Sequence, residues 1–145
     1  MKLLNWIAKL ILLLNTLFEI PVGLIMIFAP AVFFPEINKP EINEVAHQLV
    51  TAQGRAFGFA AIAVGVLSLL MSLRPLSREV LFAGMGALAV FHIGLSIAQL
   101  LNQIEGYSAL IALVIHGAFA VIFLAVFIWN AGKRQEPVPA SAPAA

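Results

Sequence analysis

The hydrophobic pattern of this chain is four long apolar runs parted by short polar breaks. The first run spans roughly residues 10–29, the second 47–73, the third 78–102 and the fourth 107–129. Each approaches or exceeds the ~20 residues that cross a bilayer as a helix. The longest break, Pro30 to Glu44, carries Pro30, Pro35 and Pro40. Within it, Pro35-Glu36-Ile37-Asn38-Lys39 is echoed by Pro40-Glu41-Ile42-Asn43-Glu44. This reads as an exposed loop, with Pro40 opening the next helix at its first turn. Arg74-Pro75 ends the second run, because the residue before proline disfavours helical backbone. The short turn Asn102-Gln103-Ile104-Glu105-Gly106 makes the third and fourth spans antiparallel neighbours.

The polar residues inside these runs fall at helical spacing. Asn15, Glu19 and Gly23 share one face of the first span. Pro21 removes a donor to the carbonyl of Leu17 and is expected to kink the helix beside Glu19. Gln48, Ala52, Arg55, Gly58, Ile62 and Gly65 mark one face of the second span. Its Gly54 and Gly58 form a small-xxx-small pair that allows another span to approach closely. His92, Ser96, Gln99 and Gln103 form a stripe on the third span. His116 is the one ionisable residue of the fourth, which Tyr107 and Trp129 bracket as an aromatic belt does.

Composition agrees with a lipid solvent. Of 145 residues, 62% are hydrophobic and 10% charged, against about 25% charged in soluble domains. Mean hydropathy is +1.03. The net charge of +1 supplies no basic field for nucleic acid. The absence of cysteine excludes disulfides, CxxC redox chemistry and Cys-ligated metal clusters. Met1-Lys2 turning oily suggests a signal peptide, but no small-residue cleavage site follows a short apolar region, so a retained span is expected. Lys2, Lys9, Arg74, Arg78, Lys133 and Arg134 fall on one side of a four-span arrangement. Lys39 faces the other side, with Glu36, Glu41, Glu44 and Glu105. The positive-inside rule then places both termini in the cytoplasm of an inner-membrane protein. The expected fold is an all-α, integral membrane four-helix bundle, N-in and C-in, over residues 1–132. A disordered cytoplasmic tail is expected over 133–145.

An ionisable side chain at mid-bilayer costs about 3 kcal/mol on insertion scales and points to function or a buried partner. Counted from the non-cytoplasmic side, Glu19, Arg55, His92 and His116 all fall about 12–17 Å deep at 1.5 Å per residue. One such residue per span is thus expected in a single polar layer, with Glu19 and Arg55 as an ion pair and the histidines opposite. The layer is either a ligand site or a buried network that fixes helix register. As a site, it suits the polar head of a lipophilic small molecule, a quinone or a lipid, with Arg55, His92 and His116 donating and Gln99 and Asn15 adding hydrogen bonds. Alternatively, His92 and His116 are axial ligands of a haem in a membrane oxidoreductase subunit. Glu19, His92 and His116 also form a His/His/carboxylate set for a metal, without a close HxxxH or ExxH spacing to support it. A proton relay uses the same groups. As a structural partner or assembly factor, the chain would use the Gly54/Gly58 face to dock another membrane protein or a second copy of itself.

Arg55-Ala56-Phe57-Gly58, followed by Gly65 in an Ala/Leu/Val-rich helix, resembles the arginine–glycine helix of the DoxX-like group of small four-span bacterial membrane proteins. His92, Ser96, Asn102 and Glu105-Gly106 are similar to the third span and turn of some of its branches. The resemblance covers residues 10–130 in architecture. It implies a four-helix membrane bundle and, in some members, association with quinone-linked oxidoreductases or with assembly of other membrane proteins. Only Arg55, Gly58 and Gly65 carry over from it.

Overall fold

The computed structural model describes residues 2–104 and 110–132. They are all helical apart from short connections. The long elements are α1 (Lys2–Phe28), α2 (Glu44–Leu73), α3 (Arg78–Ile104) and α4 (Leu110–Gly132), with two 3-10 turns, Pro30–Val32 and Pro35–Asn38, between α1 and α2. All four long helices are long and apolar enough to cross a membrane. The expected disordered tail and the Glu105-Gly106 turn lie outside the described residues, as do Tyr107, Lys133 and Arg134. The chain forms two compact units, one ending at Leu76 and one beginning at Ser77.

The helix ends have local causes. The second helix starts not at Pro40 or His47 but at Glu44, behind Asn43, whose side-chain oxygen accepts from the Ala46 amide at 2.8 Å. An N-cap of this kind satisfies one of the orphan amides of the first turn. At the other end, Arg74 is extended (ψ 161°) ahead of Pro75, as the residue before proline should be. Ser77 caps α3, its hydroxyl accepting from the Val80 amide at 3.3 Å. Pro21 is accommodated within α1, which continues to Phe28.

The first unit is a glycine-seamed antiparallel helix pair. A Cβ on Gly23 would sit 2.5 Å from the Gly58 carbonyl oxygen, and one on Gly58 would sit 2.6 Å from that of Gly23. Backbone meets backbone there, which only glycine permits. On α2 the buried positions are Gly54, Gly58, Ala61, Gly65, Ser68, Met71 and Ser72. The packed face therefore runs through Gly54 and Gly58, and Gln48, Ala52 and Arg55 are exposed on the helix surface. That corrects the expected face, which joined those three residues to Gly58 and Gly65. The Gly54/Gly58 face is taken up by α1 and the turn after it. A Cβ on Gly54 would lie 3.4 Å from both Pro30 and Phe34.

In the second unit, α3 and α4 pack through side chains. Phe82 and Phe127 lie with ring centroids 4.7 Å apart. At one end, an Arg78 Nη donates to the Asn130 carbonyl at 3.5 Å. Asn130 itself turns its side chain back to the Val126 carbonyl at 2.8 Å. Leu81, Met85, Leu88, Ala89, Phe123 and Val126 are buried.

Outward, the helices present large apolar side chains, among them Leu17, Phe59, Leu73, Val90, Ile111 and Val121. Inside, between these apolar surfaces, lie polar residues. Asn15, Thr16, Glu19, Ser68, His92 and His116 are all buried. This is the reverse of a water-soluble helix pair.

Candidate functional site

The candidate site residues divide between the two units. In the first, Asn15 donates through Nδ2 to the Ser68 hydroxyl at 3.0 Å. Thr16 donates from Oγ1, within reach of the Leu12 carbonyl at 2.9 Å and the Gly65 carbonyl at 3.0 Å. One turn on, Glu19 is 1% exposed. A Cβ on Gly65 would lie 3.2 Å from its own Cβ. The small side chains of α2 leave room along this seam for polar groups on α1.

These contacts fix the register of the pair. Asn15 matches Ser68, Thr16 matches Gly65 and Gly23 matches Gly58. Each step along α1 is a step back along α2. Continued outward, Lys9 is level with Arg74 and Phe28 with Arg55. Glu19 is level with Gly65, ten residues and so about 15 Å along α2 from Arg55. The expected Glu19–Arg55 ion pair is not formed. Its physical reason is register: with Gly23 against Gly58, Arg55 is level with the end of α1 at Phe28, and the start of α2 extends past it. The helix begins three residues before His47, and its register against α1 is set by glycine contacts rather than by distance from the loop. Arg55 and Arg74 bracket an uncharged stretch, Ala56 to Leu73, that rises about 27 Å. Glu19 is level with the middle of that stretch.

In the second unit, the two histidines meet. His92 is 0% and His116 7% exposed, and their Nδ1 atoms lie 3.1 Å apart. Two neutral imidazoles can share this contact only if one carries the proton at Nδ1 and the other carries it at Nε2. A neutral pair with this contact therefore requires opposite tautomers, with opposite hydrogen-bonding roles at the two Nε2 atoms. Phe119 and Phe123 stack on the His92 ring at 5.1 and 5.4 Å, and Phe91 meets it edge-on. Ser96 donates to the His92 carbonyl at 2.7 Å. That bond is local to α3 and ties down the backbone beneath the ring.

Gln99 is half-buried, two turns from His92, and accepts from Asn102 at 3.4 Å. Gln103 is exposed, so only the beginning of the expected stripe faces inward. His47 is exposed at the start of α2.

Bis-histidine ligation of a haem demands a gap between the two rings. Metal–imidazole bonds of about 2 Å put two axial nitrogens about 4 Å apart on opposite faces of a porphyrin. Here the two rings touch through a direct hydrogen bond, inclined by 32°, with Phe119 and Phe123 against His92. The arrangement does not fit a macrocycle between them.

Thr16, Ser68 and Ser72 are buried members of the first seam that residue type alone did not single out. The signal was present, since Ser68 and Ser72 continue the small-residue stripe of Gly54, Gly58, Ala61 and Gly65 at helical spacing. No family model, no curated protein and no solved structure matches this chain.

Proposed function

We propose that the chain is a small multi-pass inner-membrane protein that binds the polar head of a lipophilic small molecule, a quinone or a lipid, at His92 and His116. The observation that carries this reading is the buried Nδ1–Nδ1 hydrogen bond at 3.1 Å in a helix pair whose other surface is apolar. A polar group kept inside an intramembrane helix pair is expensive and signals use. Imidazole nitrogens can donate or accept, which suits a ligand oxygen that accepts as a carbonyl and donates as a hydroxyl. Carbonyl and hydroxyl oxygens are what a quinone, its quinol and a glycerolipid offer.

Membrane insertion is supported by four long apolar helices with large hydrophobic residues outward. The basic residues Lys9, Arg74 and Arg78 favour cytoplasmic termini under the positive-inside rule. The DoxX-like resemblance remains part of this proposal. It would make the protein an accessory to a redox or envelope process, and its Gly58 and Gly65 have an evident use in the α1/α2 seam.

Native mass spectrometry of the protein, purified in mild detergent, tests the reading. The expected spectrum carries a bound lipophilic mass. That mass is lost in His92→Leu and His116→Leu variants that keep their helical circular dichroism. A folded wild-type protein with no bound mass, or equal occupancy in both variants, overturns the proposal. Reporter fusions at the C-terminus and within residues 36–42 test orientation, with the cytoplasmic signal expected from the C-terminal fusion.

A further inference from the structure

The second unit carries a groove of about 340 Å³ between α3 and α4. Phe82, Gly86, Val90 and Ile93 form one wall, and Leu124 and Phe127 form the other. Its depth comes from Gly86, where a Cβ would already lie 3.0 Å from the Phe127 ring. Ala83 and Ala87 also line it and are exposed, which keeps the wall low. Every lining side chain is apolar, so an occupant has no hydrogen bond to make inside. From Phe82 to Ile93 the groove runs about 16 Å along the helix axis. It is long, narrow and open along its side.

The end near Phe82 is not apolar. Arg78 and Glu79 stand one turn below Phe82 and Ala83 on the same side of α3. Both are exposed. The Asn130 carbonyl, at 3.5 Å from Nη2, steadies the Arg78 guanidinium beside the α4 wall. The mouth therefore offers a cation and an anion within one residue of each other, below a chain-length apolar slot.

We propose that this groove holds one acyl chain of a phospholipid with a zwitterionic, primary-ammonium head group, as in phosphatidylethanolamine. The phosphate lies at Arg78 and the ammonium at Glu79. A guanidinium binds phosphate oxygens through its fork of donors, and a carboxylate accepts from an ammonium. The glycerol head of phosphatidylglycerol gains the first and offers Glu79 only neutral hydroxyls in place of a charged ammonium. A choline head gains the first and cannot donate to the second. The proposal rests on the bilayer reading above and is independent of the histidine site.

The test uses the full chain in mild detergent with phosphatidylethanolamine, phosphatidylglycerol or phosphatidylcholine of identical acyl chains, and native mass spectrometry as readout. Carbonate extraction of the source membranes comes first. A chain released by carbonate removes the bilayer reading and this proposal with it. For a retained chain, phosphatidylethanolamine is expected to bind best. Arg78→Gln lowers its binding about fivefold, the worth of one basic residue at a lipid surface. Glu79→Gln erases the preference over phosphatidylglycerol. Ala83→Leu and Ala87→Leu, which fill the groove from exposed positions, reduce all three lipids to background while circular dichroism stays helical. Lipid binding unchanged in both groove-filling variants overturns the proposal. So does a wild-type dimer that these variants convert to monomer, because the groove's occupant is then a second copy of this chain.

Discussion

Gly23 and Gly58 face each other across α1 and α2 so closely that a methyl group on either would strike the carbonyl oxygen of the other. The atoms in the way are backbone, which cannot swing aside as a side chain can. Gly23→Ala and Gly58→Ala should each destabilise the first unit by about 1–3 kcal/mol, the range for overpacking a closed interface. Gly94→Ala is the control, because nothing lies within 4 Å of its added carbon. Equilibrium unfolding in mixed detergent measures all three. Equal stability of Gly58→Ala and Gly94→Ala would show that the seam is looser than described.

Asn15 and Ser68 form a buried cross-helix hydrogen bond at 3.0 Å. Such bonds in lipid couple by about 0.6 kcal/mol on average and rarely exceed about 1.7. A double-mutant cycle with Asn15→Leu and Ser68→Ala should return a coupling in that range. Additive effects would mean that the two side chains are held apart by other contacts.

Arg55 is exposed, well away from the level of Glu19. Its exchange for Gln should therefore change the stability of the α1/α2 pair by no more than about 0.5 kcal/mol, the usual range for surface positions. An intramembrane ion pair with Glu19 would give several times that loss, since breaking a buried pair costs about 3–5 kcal/mol. The same unfolding measurement separates the two.

The contact between His92 and His116 has a spectroscopic signature. With histidine labelled at both ring nitrogens, nitrogen NMR of the neutral pair should show one ring protonated at Nδ1 and the other at Nε2. Replacing His116 by Phe should abolish the cross-ring coupling. Two identical tautomers in the wild-type protein would break the hydrogen bond described here.

Much of this architecture was legible in the chain, for a physical reason. A helix that meets lipid must be apolar for about 20 residues, so each long helix left an unmistakable run. The shared face of Asn15, Glu19 and Gly23 was equally plain, because helical spacing alone decides it. Counting from the connecting turn brought His92 and His116 to similar levels, though not to a contact distance. Arg55 was misplaced by the same counting. The first residues of α2, Glu44 to Ala46, were left outside the second run, because the Asn43 cap that starts them is a subtler mark than an apolar run. Register across α1 and α2 was set instead by glycine, serine and asparagine, whose partners no single-helix pattern names. The groove beside Gly86 had no sequence signal, since its walls are ordinary apolar residues and its depth is the absence of one carbon.

The seam of the first unit also bears on the protein's manufacture. Its glycine, serine, threonine and asparagine contacts all fall between Leu12 and Ser68, within a unit that ends at Leu76. Chains are synthesised from the N-terminus, and compact units generally fold as they emerge. The ribosome need deliver nothing beyond Leu76 for α1 and α2 to zip shut. The hairpin can therefore pair Asn15 with Ser68 and Thr16 with the Gly65 carbonyl while α3 and α4 are still being translated.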